Sequence, residues 1–121
     1  MTDANTHAER YLAIWNETEA GRRLALIAEV WTEDAVYVDP LMRGERHEGI
    51  NGLVEGVQAR FPGFRFAPIG SADGYGDNLR FSWGFGPEGA EPVIKGTDFA
   101  VLESGRFKAV HGFLDPIPAA A

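Results

Sequence analysis

The feature that most constrains the fold is a change of period at Pro62-Gly63. Before it, apolar residues recur at helical spacing; after it, they alternate. Ala8, Tyr11, Leu12 and Trp15 follow the i, i+3, i+4, i+7 pattern of one apolar face. "THAE" reads as a capping box, with Thr6 as N-cap and Glu9 three residues on. Leu24, Ile27, Ala28 and Trp31 give a second amphipathic helix. A short strand, Ala35–Asp39, follows, then a loop with Pro40 and Gly44. Ile50, Leu53, Val54, Val57 and Phe61 mark a third helix, stopped by Pro62 and Gly63. Beyond the switch, "FRFAPIG", "NLRFSWGF", "PVIKGTDFAVL" and "RFKAVHGFL" read as strands, the last two joined by the tight turn Glu103 to Gly105. Three helices followed by a meander predict an α+β fold, with the helices packed on one face of a curved antiparallel sheet.

The 121 residues suit a single domain, with 1–5 and 116–121 as frayed tails. Apolar residues at 45% and charged residues at 24% are the composition of a globular chain. A net charge of -7 gives no general attraction for a phosphate backbone, so a nucleic-acid partner is not expected. Neither a basic amphipathic helix nor a long apolar run is present, so no membrane partner is expected. The absence of cysteine excludes disulfides and thiolate chemistry and makes the cytoplasm the default compartment. His7, His47 and His111 show no metal-ligand spacing, and "GYGDN" lacks the lysine of a phosphate loop. No metal or organic cofactor is implied.

Two carboxylates break their local patterns. Asp39 follows Tyr37 on one side of the first strand and immediately precedes Pro40. It reads either as a turn former that caps backbone N–H groups or as a group aimed into a pocket. Asp98 shares a strand face with Ile94, Gly96, Ala100 and Leu102. A carboxylate on an apolar face is costly unless it is paired or kept neutral, so Asp98 is either a partner of Arg80 or a protonated hydrogen-bond donor. Tyr11 lies on the apolar face of the first helix, where a buried phenol needs a partner. His111 alternates with Phe107, Ala109 and Phe113 and is a candidate catalytic group. Trp15, Tyr37, Phe81, Trp83 and Phe113 are candidate walls of a substrate pocket.

"AEVWTEDAVYVDP" and "GTDFAVLESGRFKAVHGF" resemble the nuclear transport factor 2-like superfamily, and within it the SnoaL-like group of polyketide cyclases and ketosteroid isomerase relatives. The resemblance spans about Ala8 to Asp115. It implies a cone-shaped α+β roll, an apolar pocket and a homodimer. In the ketosteroid isomerase pattern the catalytic base is the Asp of a Glu-Asp-Pro stretch, which falls on Asp39 of "YVDP". The oxyanion-site Asp of the penultimate strand falls on Asp98 of "GTDF". Its oxyanion Tyr falls on Tyr11, given an insertion in "NETEAGRR". The cyclases pair an Asp with a His, for which His111 is the candidate. The resemblance thus implies proton abstraction, isomerisation or cyclisation at a small hydrophobic carbonyl compound, with Asp39 as base and Asp98 and Tyr11 as oxyanion donors. Two other readings stay open: a non-catalytic ligand-binding or dimerisation domain, and epoxide hydrolysis by water activated at Asp98 and Arg80.

Overall fold

The computed structural model describes residues 3–116. Its elements, in chain order, are α1 (Ala4–Asn16), α2 (Ala20–Val30), β1 (Trp31–Val38), β2 (Arg43–Glu45), α3 (Arg46–Arg60), β3 (Phe64–Tyr75), β4 (Asn78–Pro87), β5 (Ile94–Glu103) and β6 (Arg106–Leu114). The six strands form one sheet in the order β2-β1-β6-β5-β4-β3. The three helices and the curved sheet are the α+β arrangement expected. The sheet is mixed, because β1 pairs with β6 in parallel while the other pairings are antiparallel. The β5–β6 hairpin turns through Ser104 (φ 52°) and Gly105 (φ 80°). Two consecutive left-handed residues are what a tight hairpin with the strands' own twist requires.

Helix starts and faces differ in detail from the sequence reading. The cap of α1 is Asp3, whose Oδ1 accepts from the Thr6 backbone N–H at 2.8 Å. Thr6 is therefore the capped residue, not the cap, and the helix takes in residues 4 and 5, which were expected to fray. In α2 the inward residues are Arg23, Ile27 and Val30, while Leu24 is 41% exposed. An apolar stripe cannot reveal a buried arginine. Arg23 faces inward because its guanidinium donates to Asn51 Oδ1 (2.6 Å), the Glu17 carbonyl (2.8 Å) and Gln58 Oε1 (3.1 Å), tying α2 to α3 and to the end of α1. Trp31 leaves the helix and opens β1, four residues before the expected strand. β2 has only three residues, too few to show a period. β3 runs on to Tyr75 across Pro68, which an edge strand tolerates.

The core lies between the helices and the concave sheet face, with Tyr11, Ile14, Ile27, Trp31, Ile50, Val54, Phe107 and Val110 at 2% exposure or less. Tyr11 sits at its centre, its ring 5.1 Å from both Phe81 and Phe107. Burial of Phe107 and Val110, three apart, shows that β6 breaks its alternation. Val101 pairs with Ala109 but Leu102 pairs with Phe107, so Lys108 is an extra residue, and a bulge exchanges the two faces of the strand. From Ala109 onward, the residues in step with Phe107 by simple alternation point outward.

Candidate active site

Asp39 and Asp98 reach the same place from different strands. Asp39 ends β1; Asp98 lies in β5, paired with Phe81 of β4 on one side and Gly112 of β6 on the other. A Cβ placed on Gly112 would stand 3.0 Å from Asp98 Oδ1, 3.1 Å from Asp39 Cβ and 3.2 Å from the Tyr37 hydroxyl. The Asp98 carboxylate, the Tyr37 hydroxyl and the base of the Asp39 side chain therefore meet at one point, with the Asp39 carboxylate joined to it through Tyr37, and the missing side chain of Gly112 leaves the room for it. Tyr11, Trp15, Tyr37 and Trp83 join both aspartates in lining a largely apolar cavity of about 190 Å³.

Asp39 fills both of the roles the sequence left open. Its Oδ1 accepts from the backbone N–H of Leu41 (2.8 Å) and Met42 (2.9 Å), so it caps the turn after β1. Its Oδ2 accepts from the Tyr37 hydroxyl at 2.6 Å, and the carboxylate lines the cavity. Those bonds fix the carboxylate's orientation against both backbone and strand. The Tyr37 phenol stays protonated at any ordinary pH, because burial and the nearby charges of Asp98 and Asp39 hold its pKa far above the usual value.

Asp98 is 2% exposed, and its Oδ1 has no hydrogen-bond partner. Burial raises its pKa from 3.8 to about 6; the Trp83 indole and the Tyr11 phenol favour the charged form, and the charge of Asp39 opposes it. Below about pH 6 the free side chain is a neutral acid with a proton to donate. Tyr11 is 2% exposed, and burial followed by the charge of Asp98 pushes its phenol well above its ordinary value. Trp15 Nε1, beside Tyr11, is also buried without a partner. Unmet polar atoms on an apolar wall are costly in the free protein and are ready for a ligand oxygen.

The remaining candidates separate. Trp15, Tyr37 and Trp83 line the cavity. Phe81 is buried behind Tyr11 rather than on the cavity wall. Phe113 is 62% exposed, and His111 is exposed with its ring stacked on Phe99 at 6.3 Å. Both lie on the outer face of the sheet, because the bulge at Lys108 turns them away from the cavity, and His111 is paired with Phe99 rather than with Asp98. Arg80 pairs with Phe99 in the ladder and holds Asp73 at 3.0 Å on the exposed surface. It does not reach Asp98, so the arginine–aspartate pairing and the epoxide-hydrolase arrangement are both absent. The sequence reading missed Gly112 and gave Tyr37 no bond; the i, i+2 spacing of Tyr37 and Asp39 on a strand was the available signal. Among the described residues no three His, Cys, Asp or Glu side chains cluster to hold a metal ion. No helix among them is long and apolar enough to cross a membrane.

Residues 8–110 match the family model of the SnoaL-like domain. Among solved structures, a proposed isomerase of the SnoaL-like family from Agrobacterium tumefaciens is 44% identical, with a TM-score of 0.91 over 96% of this chain and 100% of that one. A proposed ketosteroid isomerase from Kribbella flavida shares the fold at 16% identity, with a TM-score of 0.71 over 98% of this chain and 82% of that one. So does a proposed polyketide cyclase from Sinorhizobium meliloti, at 15% identity and a TM-score of 0.69 over 88% and 92% of the two chains. No curated protein matches the chain. The match over most of its length, together with the full-length likeness at 44% identity, makes this chain a member of the SnoaL-like family.

Proposed function

We propose that the protein is an isomerase- or cyclase-type enzyme that moves a proton at the carbon next to a carbonyl group. The observation that carries this reading is the convergence of Asp39, Asp98 and Tyr37 on the space left by Gly112, inside an apolar cavity. Asp39, held by Leu41, Met42 and Tyr37, takes the α-proton. The developing enolate oxygen lies against Asp98 and Tyr11, which donate hydrogen bonds to it. The proton then returns from Asp39 to the same or a neighbouring carbon, so no cofactor is consumed. An apolar substrate displaces water from around Asp98 and favours its protonated form further. The 44% identical neighbour's name as a proposed isomerase supports the same class.

One observation favours a second division of labour. Asp98 Oδ1 is unpartnered and its pKa is raised to about 6, within the range suited to a general base near neutral pH. Here Asp98 would take the proton and the Asp39–Tyr37 pair would orient the substrate.

Hydrogen–deuterium exchange at the α-carbon of cyclohexanone in D₂O tests both. Wild-type protein should accelerate the exchange. Asp39→Asn should lose about 10²–10⁴-fold while keeping its circular dichroism and Tm. Asp98→Asn, which still donates an N–H, should lose much less. The opposite order favours Asp98 as the base, and full activity in both variants sinks the proton-transfer reading.

A further inference from the structure

We infer that the substrate is a one-ring or short-chain carbonyl compound bearing an anionic group, bound with its carbonyl at Asp98 and Tyr11 and its anion at Arg60. This rests on the proton-transfer reading above and adds to it the substrate's size, charge and direction.

Size comes from the cavity. Its volume of about 190 Å³ is close to the roughly 150 Å³ of an engineered cavity that holds benzene. It encloses about one ring, and a fused four-ring carbonyl compound would extend out past its mouth, where Leu41 and Arg60 are exposed.

Direction comes from the strand register. Asp98 pairs with Phe81, and Ile94, at the other end of the cavity, pairs with Phe85. Four residues of extended strand separate the two ends, on the order of 13 Å. Phe61 packs edge-on against Phe85, with ring centroids 5.4 Å apart, so the C-terminal end of α3 stands over the far end. Arg60, the last residue of α3, lines the cavity there and is exposed.

Charge comes from what surrounds that end. Val57, Phe61, Phe85, Ile94 and Leu114 make its wall apolar. Among the described residues, Arg60 is the one basic residue lining the cavity, and it forms no ion pair with any of them. The acidic residues of the lining, Asp39 and Asp98, meet at Gly112, at the Asp98 end of β5 rather than the Ile94 end. A ligand anion is repelled by the Asp39 carboxylate and attracted by Arg60, while an ammonium tail would meet Arg60 with like charge. The cavity is therefore graded along its length, and a ligand with a carbonyl at one end and an anion at the other binds one way round. The guanidinium fork suits a carboxylate, sulfate or phosphate.

Binding of two probes without a carbonyl, cyclohexylacetate and cyclohexylacetamide, isolates this inference from the chemistry. NMR titration at low salt should show the acetate binding about three- to tenfold tighter than the amide, the range of a solvent-accessible charge pair. Arg60→Glu should reverse the preference and Arg60→Lys should keep part of it. Equal affinities in the wild type, a preference that survives Arg60→Glu, or no acetate binding at millimolar concentration overturns the anion assignment. Tighter binding of a steroid ketone than of cyclohexanone overturns the size assignment. Neither result depends on proton transfer, whose failure would show instead as cyclohexanone exchange unaffected by Asp39→Asn.

Discussion

The Tyr37 hydroxyl donates to Asp39 Oδ2 across 2.6 Å, from two residues earlier on the same strand. Because side chains two apart on a strand share a face, the phenol and the carboxylate are delivered to the cavity as one unit. Tyr37→Phe removes the donor and leaves Asp39 held by two backbone N–H groups. We expect a stability loss of about 1 kcal/mol or less and a drop in kcat of roughly tenfold with little change in KM, read from thermal melts and α-proton exchange kinetics.

Asp98 makes stability fall as pH rises. Its folded pKa of about 6 exceeds the 3.8 of the free carboxyl. Between those two values the folded state keeps a proton that the unfolded state has lost. The linkage slope is therefore negative, and stability is lost from about pH 4 to pH 6. The shift corresponds to about 3 kcal/mol. The exposed Asp3, Glu19 and Asp34 have lowered values and titrate in the opposite sense, but they are common to wild type and variant. From pH 4 to pH 8 the stability of Asp98→Asn should rise relative to wild type by about that amount. Urea titrations at the two pH values measure it, and a gap that does not change with pH would refute it. The alkaline limb of kcat/KM should sit near pH 6 in the wild type and vanish in Asp98→Asn.

Gly112 earns its place by having no side chain. A Cβ there meets Asp98, Asp39 and Tyr37 at 3.0 to 3.2 Å, so these neighbours must shift by a few tenths of an ångström. Gly112→Ala should fold, with a cost of about 1–3 kcal/mol from overpacking, and should lose α-proton exchange activity by more than about tenfold. A variant with unchanged turnover would show that the gap between the carboxylates is not where the substrate reacts.

Arg23 tests whether stability and activity separate. It is 1% exposed, and neither it nor its partners Asn51, Gln58 and the Glu17 carbonyl line the cavity. Arg23→Ala leaves Asn51 Oδ1 and Gln58 Oε1 unmet, while the Glu17 carbonyl keeps the Gln58 amide, and should cost about 3 kcal/mol or more by chemical denaturation. Activity per folded molecule should not change.

The fold was legible because its signals are local and redundant: the period switch at Pro62-Gly63, the helical spacing of Tyr11 and Trp15, and the tight turn at Ser104-Gly105. Asp98 was legible because it interrupts an apolar strand face, and Asp39 because it ends a strand before Pro40. His111 and Phe113 were misplaced because a single bulge residue, Lys108, inverts the pattern beyond it, and a bulge leaves no mark in alternation alone. Arg23, Arg60 and Gly112 were invisible for another reason. Each owes its place to residues distant in sequence: Gln58 for Arg23, the cavity-lining Phe85 and Ile94 for Arg60, and Asp39 with Asp98 for Gly112.

The proposed proton transfer requires Asp98 to enter the reaction as a neutral acid beside the Asp39 carboxylate. ¹³Cγ NMR titration of aspartate-labelled protein measures this directly, with and without phenol as a mimic of the enolate. Asp98 should titrate near pH 6 in the free protein and higher when phenol fills the cavity. An Asp98 that titrates below pH 4 in both states would be ionised throughout, and it could not donate the hydrogen bond assigned to it.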